Sequence, residues 1–250
     1  MNMSRIRLAI LFLTILALTA TPVTWPQTGQ FKTAAAVLEN YQRVLGGADT
    51  IRKVQSETVR GEIETSGKPG KATFVYYAKP SKSLMKVTRA NGQEVSFGFD
   101  GQVSWSITPQ GASLDKDTPV EANRRDADLQ YALHQPDYFQ KLELAGITDF
   151  DGHRCYWLHG TTHWGKDNNQ FYDVQTGLLA GYRFQVDSSS PQVAMVFFRD
   201  YKSFGGPLVA TTTVNRVGDQ VQTFTYETVT YEPLPDSLFE LPQAVKALLK

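Results

Sequence analysis

Residues 93–108 read Gln-Glu-Val-Ser-Phe-Gly-Phe-Asp-Gly-Gln-Val-Ser-Trp-Ser-Ile-Thr. Val95, Phe97 and Phe99 alternate with Glu94, Ser96 and Gly98; beyond Asp100-Gly101, Val103, Trp105 and Ile107 alternate with Ser104, Ser106 and Thr108. A period of two sends successive side chains to opposite faces of an extended chain. Asp-Gly tolerates the positive backbone angles of a tight hairpin turn. The stretch therefore predicts two antiparallel strands, 93–99 and 102–108, and its alternation recurs through most of the chain.

Working outward, the same pattern predicts strands at 58–65, 72–77, 84–89, 142–148, 154–161, 170–174, 178–186, 193–201, 208–215 and 221–231. Turn residues separate them, among them Asn91-Gly92, Asp151-Gly152, Thr176-Gly177, Gly218-Asp219 and the run 188–191. Short strands at such spacing predict an antiparallel meander rather than βαβ units. Helical spacing is confined to a few places. Ala34, Val37, Leu38, Tyr41 and Leu45 form one apolar face that stops at Gly46-Gly47, and Asp49 can cap a short helix through Val54. Residues 109–119 read as a polar loop, 120–135 as a helix carrying Ala127, Leu129, Tyr131, Ala132 and Leu133, and 236–250 as a short amphipathic stretch around Pro242. Several strands are apolar on both faces: Val193, Met195 and Phe197 oppose Val196 and Phe198, and Phe224 and Tyr226 oppose Val221 and Val229. That predicts a strongly curved sheet whose concave side is filled by helices or by ligand.

Composition narrows the function. The 250 residues include 25 basic and 25 acidic side chains. A surface that binds nucleic-acid phosphates needs a basic excess, so no nucleic-acid partner is expected. The single cysteine, Cys155, rules out an intrachain disulfide and any site built from several cysteines. Arg5 and Arg7 precede the apolar run 8–20, and a Pro- and Thr-rich stretch follows. This is the layout of a secretory signal peptide, and the run is shorter than the ~20 residues of a spanning helix. Residues 1–27 are expected to be that peptide, with a poorly marked cut site, and 28–250 to be one periplasmic domain. No cysteine follows the run to take a lipid anchor.

Motifs of catalysis are missing. There is no Gly-x-Ser-x-Gly elbow, no His-Glu-x-x-His pair and no Gly-rich dinucleotide turn. His153, Cys155, His159 and His163 share parity on one predicted strand, and imidazole with thiolate can bind zinc or activate a nucleophile. Alternate residues of a strand nevertheless lie ~6–7 Å apart, too far for several to converge easily on one ion. The expectation is no catalytic residue, no metal and no cofactor, with Cys155 packed and chemically quiet. Glu62 and Glu64 beside Arg60, and Asp115, Asp117 and Glu121, read as solvated surface. The aromatic stripe Phe97, Phe99 and Trp105 reads either as core packing or as the wall of an apolar cavity.

The run Phe99-Asp100-Gly101-Gln102-Val103-Ser104-Trp105-Ser106-Ile107-Thr108-Pro109 resembles the Asp-Gly-x-x-x-Trp-x-x-x-Pro stretch of periplasmic lipoprotein carriers of the LolA/LolB-like superfamily. Tyr77-Ala78-Lys79-Pro80-Ser81-Lys82-Ser83-Leu84 is similar to their basic-residue–Pro turn, and Asp173-Val174-Gln175-Thr176-Gly177-Leu178-Leu179 to a turn in the second half of their sheet. Leu45-Gly46-Gly47 and Val59-Arg60-Gly61-Glu62 are similar to larger exported relatives. The resemblance implies a mainly β (α+β) fold, an incomplete antiparallel β-barrel with helices covering its concave mouth. It further implies an apolar cavity for acyl chains of lipoproteins or other lipid, serving passage to the outer membrane, with membrane-bound donor and acceptor proteins as partners. Lys79 stands where the carriers often have Arg and offers a point charge without the planar fork. On this basis the ligand-binding residues are expected to be Lys79, Leu84, Val95, Phe97 and Phe99, then Val103, Trp105 and Ile107, with Tyr182 and Phe184 from the second half. Residues 109–135 fit a lid. The competing expectation is a periplasmic interaction or scaffold domain with a filled core.

Overall fold

The computed structural model describes residues 31–185 and 192–249. The expected signal peptide, 1–27, and the expected turn at 188–191 lie outside the described residues. Among the described residues two helices come first, α1 (Ala34–Val44) and α2 (Ala48–Arg52). Thr33 caps α1 by accepting from the Ala36 N–H, and Val37, Leu38 and Tyr41 form its buried stripe. Six strands follow: β1 (Glu57–Thr65), β2 (Ala72–Lys79), β3 (Lys82–Thr88), β4 (Glu94–Phe99), β5 (Ser104–Thr108) and β6 (Gly111–Asp115). After α3 (Val120–Asp126) and α4 (Tyr131–His134) come β7 (Phe139–Phe150), β8 (His153–Thr162), β9 (Asp167–Asp173), β10 (Leu179–Gln185), β11 (Val193–Ser203), β12 (Leu208–Val217) and β13 (Gln220–Thr230). A C-terminal segment carries the short helix α5 (Gln243–Lys246).

The strands form one 13-stranded antiparallel sheet in the order β6-β5-β4-β3-β2-β1-β13-β12-β11-β10-β9-β8-β7. Every neighbour is a chain neighbour except β1 and β13, which join the two halves. The edge strands, β6 and β7, follow each other in the chain without pairing, so the curved sheet is an incomplete barrel. The segment between them carries α3 and α4, and Arg124 donates to the Gly101 carbonyl at 3.3 Å, tying that segment to the β4–β5 hairpin.

Four local expectations change. The polar loop 109–119 contains β6, whose exposed Gly111, Ser113 and Asp115 hide its alternation; pairing with β5 makes it a strand. The predicted helix 120–135 breaks between α3 and α4, where the Asp128 carboxylate accepts from the Gln130 N–H at 2.9 Å. Such side-chain bonds compete with helical backbone bonds. The β4–β5 connection runs from Asp100 to Val103: Asp100 accepts from the N–H groups of Gln102 at 2.9 Å and Val103 at 2.8 Å, and Val103 leaves the strand. Finally, Val229 shares the face of Phe224 and Tyr226, because the β1–β13 register shifts between Arg60 and Gly61.

Both faces of the second half are packed. On the inner face, Val37, Leu38, Tyr41 and Leu45 meet Tyr156, Leu158, Tyr172 and Leu179 in one cluster. Gln135 Nε2 donates to Gln170 Oε1 and to the Tyr172 hydroxyl beneath the helices, while Gln170 Nε2 is buried without a hydrogen-bond partner among the described residues. On the outer face, Phe150, Cys155, Phe171, Phe197 and Val214 form a second cluster, with Arg183, Arg199 and Arg216 over its rings. The two-sided apolar strands have this cause.

Candidate functional site

The first half is different. Register carries the inner face from Tyr182 through Val196, Asn215 and Gln222 to Thr65, and along β1 to Ile63. From there it runs across Ala72 and Phe74 to Met85, Val87, Val95 and Phe97. Buried Val59, Ile63, Phe74, Val87, Val95 and Val229 form its base, with no residue of α1 among them. Above this base lies an open groove of about 890 Å³, walled by Ile63, Met85, Val87, Val95, Phe97 and Phe224. Phe97, which pairs with Ser106 and Met85, is 46% exposed. Met85 and Phe224 also belong to a second hollow of about 420 Å³, lined by Glu57, Val59, Tyr76, Val209, Tyr226 and, from the segment joining α3 to α4, Asp126 to Leu129. The two spaces lie along the inner face and share Met85 and Phe224, and together they make a trough lined by apolar side chains at this junction and by polar ones at its two ends. Such a lining shelters hydrocarbon through area removed from water, about 25 cal/mol per Å².

Of the expected ligand residues, Val95 and Phe97 line this trough. Phe99 shares their face but is buried and stands outside the lining. Trp105 is on the other face. It pairs with Gly98, and its ring lies over that glycine so closely that a Cβ there would stand 2.6 Å from the ring carbon Cε2. Phe97, Phe99 and Trp105 therefore do not make the one inward-facing wall that the alternation predicts. Every β4–β5 pair joins an even-numbered residue to an odd-numbered one, so equal parity across this hairpin means opposite faces. Leu84, Trp105 and Ile107 pack instead with Phe239 and Val245 of the C-terminal segment on the outer face. Lys79 fastens that segment: its Nζ donates to Asp236 at 2.8 Å and to the Leu234 carbonyl at 3.2 Å, and it holds the Asp236 carboxyl below its usual range. Val103 lies in the turn. Tyr182 is on the inner face of the packed half, edge-on to Phe198 with ring centres 5.3 Å apart, and Phe184 follows two positions along the same strand face.

Sequence reasoning passed over Met85, Phe224, Tyr226 and Glu57. The signal was present for Glu57: it shares parity with Val59 and Ile63, an apolar face on which a carboxylate is out of place. Among the described residues its side chain has no hydrogen-bond or ion-pair partner, and burial pushes it up to about 7. Desolvation penalises the charged form, which is the whole cause.

The His/Cys set lies on the outer face of β8 or beyond its end. His153 Nδ1 is 2.9 Å from the Asp173 carboxylate, and His159 Nδ1 is 3.3 Å from Asn169 Oδ1. Cys155 is fully buried and its thiol is pushed up to about 12, chiefly by desolvation. Among the described residues, no group of His, Cys, Asp and Glu is placed to hold a metal, and no helix is long and apolar enough to cross a membrane.

No protein-family model matches the chain, and no curated protein matches it. Solved structures do. A LolA superfamily protein from Nitrosomonas europaea superposes with a TM-score of 0.59 at 14% identity, over 84% of this chain and 99% of that one. The LolA-like fold is therefore the fold of this chain. A DUF1329 family protein from Desulfovibrio piger gives 0.58 at 16% identity, covering 84% of this chain and 98% of that one. A putative outer membrane lipoprotein-sorting protein domain from Vibrio parahaemolyticus gives 0.58 at 10% identity, covering 85% and 97%. The matched fold covers 84–85% of this chain, and so includes both halves of the sheet.

Proposed function

We propose that this chain is an exported carrier or binding protein that holds a lipidated or otherwise apolar ligand in the trough between Phe97 and Tyr226. The observation that carries the reading is the uncovered apolar inner face of β1–β4 and β13, where Phe97 stands 46% exposed while the same face of the second half is packed by α1. Exposed apolar area of this kind marks a binding surface. Each methylene removed from water contributes about 0.8 kcal/mol, so a long acyl chain is retained without any covalent or catalytic step. The ligand contacts of the reading are Ile63, Met85, Val87, Val95, Phe97 and Phe224. Work in the periplasm, after removal of the signal peptide, and exchange with membrane-bound donor and acceptor proteins belong to the same reading, supported by the lipoprotein-sorting domain among the structural neighbours.

A fluorescent fatty acid titrated into the purified mature protein tests it. Wild type is expected to bind, and Phe97→Asp to lose at least about tenfold in affinity, since a charge in the trough must be desolvated by the chain. Absence of binding by wild type, together with native mass spectra free of co-purified lipid, would overturn the carrier reading in favour of a scaffold.

A further inference from the structure

The two ends of the trough differ in charge. The open end carries Lys68 and Arg89 and no carboxylate. The end beneath the lid carries Glu57, Asp126 and Asp128 and no basic side chain. Two of these three acids are occupied. Asp126 pairs with Arg125 at 2.7 Å, and Asp128 accepts from the Tyr138 hydroxyl at 2.8 Å and faces His134 Nδ1 at 2.9 Å. Glu57 alone has no partner among the described residues, and the nearby Tyr231 hydroxyl, which senses its charge, is buried without a hydrogen bond. An unpaired carboxylate at the end of an apolar channel is costly unless something brings it a positive charge.

Resting on the carrier reading, we propose that the lid end binds the ammonium group of a single-chain amphiphile bearing a primary amine, with Glu57 as its counter-ion. The alkyl chain then lies past Tyr76 and Tyr226, over Met85 and Phe224, toward Phe97. Charge complementarity selects this occupant over a carboxylate-headed one: a fatty acid entering head-first would meet the unpartnered Glu57 and two further acids, with no basic side chain in the lining to receive it. The cation restores the charged form of Glu57 and gives the carboxylate the donors that the protein withholds.

The groups facing Glu57 leave it as the titrating partner. Tyr76 from β2 and Tyr226 from β13 are both raised by burial, and Tyr231 is raised to about 12, so all three stay neutral near neutrality. Asp126 and Asp128 from the lid keep the partners named above. Amine binding near pH 7 should then release a proton from Glu57, which preference for an alkyl chain alone would not do.

The test compares dodecylamine with dodecanol, each displacing a fluorescent acyl probe from wild type and from Glu57→Gln at about pH 8, where wild-type Glu57 is ionised. Wild type is expected to favour the amine by at least about tenfold, and Glu57→Gln to bring the ratio to within about twofold of unity. In wild type the ratio should also shrink at about pH 5.5, where Glu57 is protonated and the amine still charged. Equal binding of amine and alcohol by wild type, or a preference that survives in Glu57→Gln, overturns the amine site while leaving the carrier reading intact. Failure of every amphiphile, the fatty acid included, overturns both.

Discussion

The inner face over β8–β10 and the inner face over β1–β4 are built from the same alternating strands, yet one is solid and the other open. Over the first, α1 inserts Val37, Leu38 and Tyr41 between Tyr156, Leu158 and Tyr172, and Tyr41 meets Tyr172 edge-on with ring centres 5.2 Å apart. Over the second, the segment carrying α3 and α4 contributes few apolar side chains beyond Ala127 and Leu129 at one end, and Met85, Phe97 and Phe224 are left to face the trough. The strands are apolar inward in both places. Where the cavity lies in this incomplete barrel is decided by how far the helices reach, not by which strands are hydrophobic.

The comparison can be broken at its packed side first. Leu158→Ala removes a fully buried side chain from the α1 contact, and about 2–5 kcal/mol of unfolding free energy should be lost in a urea titration. If that half were as pliable as the open one, the loss would fall below about 1 kcal/mol.

Glu57→Gln sharpens the contrast at the open side. The folded carboxyl titrates at about 7 against an ordinary 4.5, so the folded chain holds this proton more tightly and stability falls as pH rises from 4.5 to about 7. Above that range the penalty is complete. The variant lacks it and should be the more stable protein by on the order of 2–3 kcal/mol at about pH 8, with little difference at about pH 4. A wild type more stable than Glu57→Gln at the higher pH would mean that the carboxylate is paired, and that the two halves do not differ in the way described.

Gly98→Ala has the smallest expected effect. Its Cβ would overlap the Trp105 ring on the outer face, so Trp105 must shift against Phe239 and Val245 at a cost of about 1–3 kcal/mol. Acyl-probe affinity should stay within about twofold of wild type, because the trough is on the other face. A large loss of binding at unchanged stability would instead put Trp105 in the ligand wall.

Much of this was legible in the chain itself. Helix α1, with its Val37, Leu38, Tyr41 and Leu45 stripe, follows from three- and four-residue spacing, and nearly all the strands follow from alternation, because both patterns are local. Strand β6 escaped because its apolar face is only Ala112 and Leu114, too short a run to stand out beside the exposed Gly111, Ser113 and Asp115. The helix expected over 120–135 failed at Asp128, where a side-chain bond redirected the backbone. The face of Trp105 was misread although the residues to settle it were present: the hairpin pairs Gly98 with Trp105, and a glycine opposite a tryptophan leaves room for the ring.

By itself the sequence determined the class of fold, a curved antiparallel meander with one helical stripe at its start, since period and turn chemistry act between residues near one another in the chain. It also held the oddity of Glu57 on an apolar parity. Only the tertiary structure decided which part of the inner face stays open, that the C-terminal segment covers Leu84 and Trp105, and that Lys79 is tied to Asp236. Those contacts join residues more than 100 positions apart, and the meander leaves their geometry to the β1–β13 pairing and to the reach of α1 and of the α3–α4 segment.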